Sequence, residues 1–182
     1  MKRKTTKELL AESFREVAEH KSIDKITVRD ITENCGYSPA TFYRQFKDKY
    51  DLIAWDYSRE VKAILSGVDG SEAEWRHALM RAAAFFEERK TYLANLFLHT
   101  GGMESFLAYM QEANYQSLKA IVDAAPGEGP ADPLTEHCLR LYVLGSVQFT
   151  CEWILGKHEA TAEELAAVFE QTLPAPLKRY LK

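Results

Sequence analysis

The sequence predicts an all-α protein of about nine helices, with a three-helix head and a larger helical body. Three observations carry that prediction. Apolar residues recur at helical spacing through most of the chain. Thr, Ser or Asp stands ahead of most of these runs, where the first turn of a helix needs acceptors for its N–H groups. The six Pro fall in the breaks between runs.

The elements follow in order. Thr5-x-x-Glu8 is a capping box that opens a first helix with Leu10, Phe14 and Val17 on one face, ending near His20. Thr27 caps a second helix, which carries Val28 and Ile31 inward and stops near Gly36, a residue able to take the left-handed conformation of a tight turn. Ser38-Pro39 supplies a cap followed by Pro at the first helical position, and a brief third helix covers 39–46. Asp48 caps a fourth helix to Leu65, and Gly67–Gly70 separates head from body. The domain boundary is placed after residue 53, giving a head of 1–53 and a body of 54–182. In the body, the capping box Ser71-x-x-Glu74 opens a helix to Glu88, and a short helix covers 92–98. Gly101-Gly102 breaks the chain before a longer helix over 103–124. APGEGPADP, residues 125–133, reads as a loop. Asp132-Pro133 starts a long helix to Leu155, and Thr161-x-x-Glu164 opens a last one, stopped by Pro174 and Pro176.

The head has the layout of a helix-turn-helix, in which the second of two short helices lies in the DNA major groove. With Phe42 and Phe46 inward, four residues apart, 100° per residue turns Ala40, Thr41, Arg44 and Lys47 outward, with Tyr43 on the flank. Arg44 is suited to a guanine edge or a phosphate. Thr41 and Tyr43 offer hydroxyls to phosphate oxygens, and Ala40 is small enough for close approach. Lys47, Lys49 and Arg29 add charge nearby, and Lys2, Arg3 and Lys4 form a basic arm. An ordinary solvated helix face is the competing reading. Charge is divided accordingly: residues 1–65 hold 13 Lys and Arg against 11 Asp and Glu, net +2, and residues 66–182 hold 10 against 16, net −6. A basic end on an acidic chain suits a protein that touches phosphate with one end only.

CGYSPATFYRQFKDKYDL resembles the signature of TetR/AcrR-type regulators over about residues 6–53, with Thr27, Ile31, Gly36, Ser38, Thr41, Tyr43, Phe46, Lys49 and Leu52 in register. The resemblance implies a homodimeric transcriptional regulator whose head binds double-stranded operator DNA and whose body binds a small-molecule effector and dimerises; the cysteines and the lack of a long apolar run separately point to a cytoplasmic chain. It implies DNA-backbone roles for Thr27, Thr41, Tyr43 and Lys49, and base reading from Ser38, Pro39, Ala40, Thr41 and Arg44. Pro39, Ala40 and Gln45 depart from the residues common in that family. Pro39 has no side-chain hydrogen bond to give a base, so readout concentrates on Arg44. YVLGSVQFTCEWILG with the following EELAAVF is also similar, more loosely, to a subgroup containing dihydroxyacetone-kinase regulators. That subgroup includes a co-activator as well as repressors, so either sign of control fits.

In the body, residues 138–156 are apolar on nearly every side, as expected of a helix covered on all sides. One face would meet the core and another a second subunit, with Val143, Val147 and Ile154 joined by Leu165, Val168 and Phe169 of the last helix in a four-helix bundle across a two-fold axis. A monomer with both faces packed internally is the alternative. A two-fold dimer would set its recognition helices on the order of 34–36 Å apart, or somewhat further, and call for a palindromic operator. The candidate effector site is Phe86, Phe97, His99, Phe106, Tyr109, Tyr142, Gln148, Phe149 and Glu152, although aromatics at helical spacing equally form plain core. Arg140, Gln148 and Glu152 share one face and need partners, which a ligand, another helix or a second subunit could supply.

Other classes are disfavoured. The sequence contains no HExxH, Gly-rich phosphate loop or nucleophile elbow, which argues against an enzyme. Cys138 and Cys151 point to different faces of one helix, and Cys151 and His158 lie ~10 Å apart along it, so neither a metal nor a cofactor is expected. Three Cys without framework spacing point to a reducing compartment. No apolar run reaches the ~20 residues of a membrane span. The remaining rival is a helical adaptor or co-activator whose body binds a partner protein rather than a metabolite.

Overall fold

The computed structural model describes residues 3–69, 71–101, 105–125 and 131–181. Lys2 of the basic arm, Gly70, Gly102, Met103 and residues 126–130 of the Pro/Gly loop lie outside these. The chain is helical: α1 Thr6–Ala18, α2 Val28–Asn34, α3 Pro39–Tyr43, α4 Lys49–Leu65, α5 Glu72–Glu88, α6 Lys90–His99, α7 Phe106–Ala124, α8 Pro133–Ile154, α9 Ala162–Gln171 and α10 Lys178–Leu181, with 3₁₀ turns at Ile23–Lys25 and Ala175–Leu177. Packing divides it into two compact units. One comprises 1–59 with 91–106, the other 60–90 with 107–182.

In the first unit, local chemistry sets the ends of each helix. Thr5 and Glu8 form a reciprocal capping box on α1, and Thr27 and Asp30 form one on α2. Gly36, with φ 71°, closes α2: its N–H reaches Glu33 O, and that of Tyr37 reaches Thr32 O at 2.9 Å. This pair of bonds needs a left-handed residue at that position, which glycine supplies without strain. Ser38 Oγ then accepts the Thr41 N–H at 3.2 Å, so only four residues, 35–38, separate α2 from α3. Asp48 Oδ1 caps α4 through the N–H groups of Tyr50 and Asp51. Leu10, Phe14, Ile23, Ile31, Phe42 and Leu52 are completely buried. Tyr92, Leu93 and Leu96 of α6 are buried too, with the Tyr92 ring edge-on to Phe14 at 6.1 Å. Asp56 of α4 is buried between Arg15 of α1 and Arg59, and Arg59 continues to Glu8 at 3.0 Å.

In the second unit α5 packs on α9, and Arg76 joins Glu170 across them at 2.9 Å. Ser71 accepts the Glu74 N–H, but its own N–H goes to Asp69 Oδ1 at 2.9 Å. The expected box is thus completed from the preceding loop. α8 buries Leu139, Val143, Val147, Cys151 and Ile154 along one stripe and ends at Gly156, φ 75°. Trp153 is buried, donates to Ala160 O at 2.7 Å and carries the Lys90 ammonium over its ring. Pro174 and Pro176 do stop α9, yet the chain continues through a 3₁₀ turn into α10, and Leu177, Tyr180 and Leu181 are buried.

Candidate nucleic-acid interface

The short loop between α2 and α3 and the buried anchors Phe42 and Phe46, at 0% and 2% exposure, fix which side of α3 faces solvent. Their rings lie 5.7 Å apart, and Phe46 also meets Trp55 at 5.6 Å, so α3 is tied to α4 through aromatic contacts. Ser38, Pro39, Ala40, Tyr43, Arg44 and Lys47 are exposed and Thr41 is half-buried. Tyr43 stands 61% exposed with its ring edge-on to Phe42 at 5.6 Å, which leaves the hydroxyl at the surface. Among the described residues no acceptor engages the side chains of Arg44 or Lys47. The Thr41 hydroxyl lies 3.1 Å from Ser38 Oγ. The face can give a guanidinium, an ammonium and two hydroxyls to a polyanion while presenting almost no bulk at Ala40.

The remaining expected contacts are placed differently. Arg29 is exposed at the surface of α2 but bonded to Glu33 at 2.6 Å, an i,i+4 pair that raises the guanidinium's affinity for its proton. Thr27 is exposed, and its hydroxyl is committed to Asp30 at 2.7 Å. The Lys49 ammonium turns inward onto the carbonyls of Ile23, Asp24 and Ile26 at 2.7, 3.1 and 2.9 Å. Of the basic arm, Lys4 pairs with Glu12 at 2.6 Å.

The residues expected to hold an effector are divided between the two units. The Phe97 and Phe106 rings meet at a tilt, 5.2 Å apart, within the first unit, and Phe106 meets Tyr57 edge-on at 5.4 Å. His99, on the same unit's surface, lies 3.6 Å from Asp24. Phe86 is buried in the second unit against Phe85, and Tyr109 is half-buried. Tyr142 and Phe149 line an open groove of about 320 Å³ with Leu141, Gly145, Ser146, Val168, Phe169, Thr172 and Pro174. Tyr142 donates to Phe169 O at 2.8 Å, and burial pushes its phenol well above the ordinary range. Phe149 is stacked on His158 at 4.7 Å, and Glu152 accepts from Gln148 at 2.8 Å and lies 2.9 Å from His158. The Gln148 amide, then His158, holds the Glu152 carboxyl below its usual value. Arg140 is satisfied by Glu112 at 2.7 Å and by the Tyr115 ring. The polar stripe on α8 is therefore partnered within the chain, Arg140 by α7 and Gln148 and Glu152 by each other and by His158 just after the helix.

The faces expected at a dimer contact also sort out by burial. Val143, Val147, Ile154, Leu165 and Phe169 are each 8% exposed or less within a single chain, because they pack its own core. Val168 is 40% exposed, and Leu134 at 65%, Leu141 at 73% and Met80 at 39% are exposed apolar residues of the same unit. Leu141, Gly145 and Gln148 lie on the outward face of α8, rotated away from the inward stripe of Leu139, Val143 and Val147.

Comparison with known proteins agrees with the geometry of the head. Residues 9–54 match the family of bacterial regulatory proteins, tetR family. The HTH-type dhaKLM operon transcriptional activator DhaS of Lactococcus lactis subsp. lactis (strain IL1403) is 20% identical over 108 residues, 59% of this chain and 57% of its own length. The match thus spans little more than half of that relative. Among solved structures, the dihydroxyacetone kinase operon activator DhaS superposes with a TM-score of 0.70 at 16% identity, covering 97% of this chain and 98% of its own. A TetR transcriptional regulator from Rhodococcus sp. RHA1 gives 0.63 at 18% identity, covering 93% and 94%. The likeness to the tetR family thus lies in residues 9–54, and the fold of the whole chain is that of these TetR-type structures.

Proposed function

We propose that this protein is a transcriptional regulator that binds a palindromic operator as a homodimer and answers to a small-molecule effector. The observation that carries the reading is the outward face of α3. The helix expected over 39–46 ends at Tyr43, and Arg44 and Lys47 project from the turn that follows it, anchored from behind by Phe42 and Phe46, beside the exposed Tyr43 and the small Ala40. In this reading Arg44 reads base edges, and Ser38, Thr41, Tyr43 and Lys47 hold the phosphates, with Thr27 and Arg29 at the margin. The dimer reading draws on the groove beside Leu141 and Val168, which leaves apolar surface on the outside of α8 and α9. The effector reading draws on the aromatic character of the second unit. A second reading, a helical adaptor whose body takes a partner protein, draws on the same open groove.

The test is fluorescence anisotropy of the full-length protein on DNA from upstream of its own gene and on an unrelated duplex, over a salt series. The expected result is selective binding that weakens steeply with salt, with the specific duplex held roughly 1,000-fold or more tighter than the unrelated one. Binding that is weak and indifferent to sequence overturns the regulator reading. A monomer at all concentrations would turn the groove over to the adaptor reading.

A further inference from the structure

The connection between α1 and α2 is held from two sides by side chains far away in sequence. On one side stands Lys49, the first residue of α4, whose ammonium donates to Ile23 O at 2.7 Å, Ile26 O at 2.9 Å and Asp24 O at 3.1 Å. An ammonium has three protons, and three carbonyls receive them. On the other side stands Asn95 of α6. Its Nδ2 donates to Ala18 O at 2.8 Å and Lys21 O at 2.9 Å, and its Oδ1 accepts the Ile23 N–H at 3.1 Å. Ala18 is the last residue of α1, so Asn95 satisfies a carbonyl that the helix leaves open. The held segment runs directly into Thr27, the cap of α2, and α2 passes through the Gly36 turn into α3. Every element from the clamp to the recognition face is short and joined by a tight turn, so a shift of the connector is carried to α3.

We propose that Lys49 is a positioning residue, which with Asn95 clamps residues 18–26 and so sets the presentation of α3, and that its ammonium is not a phosphate ligand. The proposal rests on the DNA-binding reading of α3. It differs from what the family resemblance implies for this lysine, and the difference is measurable. A lysine on a phosphate contributes one released counterion, and its loss lowers the salt slope by about 0.9. Arginine replaces it there without loss, since both are cations that bond phosphate. A clamp on three convergent carbonyls behaves otherwise, because no nitrogen of a planar guanidinium can give three protons to three separate carbonyls.

The experiment compares the full-length wild type with Lys49→Arg, Lys49→Gln and Asn95→Leu, on the upstream duplex and on a random-sequence duplex. Anisotropy is read over a salt series and amide hydrogen exchange is read on the free proteins. The expected result is a loss of affinity of roughly tenfold or more in Lys49→Arg, with the wild-type salt slope retained. Asn95→Leu, which alters no charge, shows the same pattern, and Lys25 and Ile26 exchange faster in both while α1 stays protected. Lys49→Arg binding like wild type, or a slope lowered by about one in Lys49→Gln alone, overturns the proposal. Should either lysine variant fail to fold, Asn95→Leu decides: unchanged affinity overturns the clamp. Should the wild type bind neither duplex, the regulator reading fails, and the clamp itself is judged on exchange, with unchanged protection of Lys25 and Ile26 overturning it.

Discussion

Leu141 stands one helical turn ahead of Gly145 on the outer face of α8, a knob 73% exposed beside a notch where an added Cβ would meet nothing within 4 Å. In the proposed homodimer a two-fold axis through this face would set the knob of one copy against the notch of the other. Leu141→Glu should therefore give a monomer, with association weakened at least a hundredfold, about 3 kcal/mol, and helix content unchanged. Gly145→Ala should split two effects. It stabilises an isolated chain by roughly 0.5–1 kcal/mol, because Gly is costly inside a helix. It also fills the notch and weakens the pair. Sedimentation velocity beside urea melts at low protein concentration separates the two. A Gly145→Ala dimer as tight as the wild type would move the interface elsewhere.

Arg44 and Tyr43 flank the recognition face with different chemistry. If Arg44 reads a base as proposed, Arg44→Ala should relax sequence selectivity by about 1–3 kcal/mol at that base. Tyr43→Ala should weaken the upstream and random duplexes alike, since a hydroxyl on phosphate carries no sequence information. Competition titrations with single-base variants of the bound site measure the difference. Equal loss of selectivity in both variants would contradict the assignment of roles.

Asp56 is 5% exposed, with Arg15 on one side and Arg59 on the other. This ion cluster joins α1 to α4 inside the first unit. Removing one member of a buried pair leaves charge without compensation, and Asp56→Ala should destabilise the protein by about 3–5 kcal/mol in urea unfolding. Asp56→Asn keeps the shape and part of the hydrogen bonding and should fall between. A loss under about 1 kcal/mol for Asp56→Ala would mean that water reaches the cluster and screens it.

What was legible in the sequence was local. Thr5, Thr27, Ser38, Asp48, Asp132 and Thr161 were readable as caps because a cap is written within four residues, and all six cap helices in the structure. The inward turn of Phe42 and Phe46 followed from spacing alone. The phase of α8 did not, because a helix apolar on nearly every side has no preferred inner face until its neighbours are in place. Leu139, Val143 and Val147 took the core, and Leu141 was left outside. Asn95 could not be read either: its partners are backbone groups 72 to 77 residues away. The inward turn of Lys49 was hidden for the same reason, since its carbonyl partners lie 23 to 26 residues back along the chain.

Asp30 gives the head a predictable acid limb. Its carboxylate accepts from Lys21 at 2.7 Å and from the hydroxyl and N–H of Thr27, each at 2.7 Å. Those donors, the Lys21 ammonium foremost, hold it far below the ordinary value of 3.8. A carboxyl lowered in the folded state binds its proton more readily when unfolded. Its contribution to stability is therefore complete above the unfolded value of about 3.8, declines as pH falls below that, and is gone once the folded carboxyl is protonated. Asp30→Asn should be less stable than the wild type near neutral pH, and the gap should narrow steadily below about pH 4 as only the wild type loses ground. Urea unfolding followed by circular dichroism across that range checks the sign. A gap that stays constant to the lowest pH at which the protein folds would show that Asp30 supports α2 by shape and hydrogen bonding alone, without its charge.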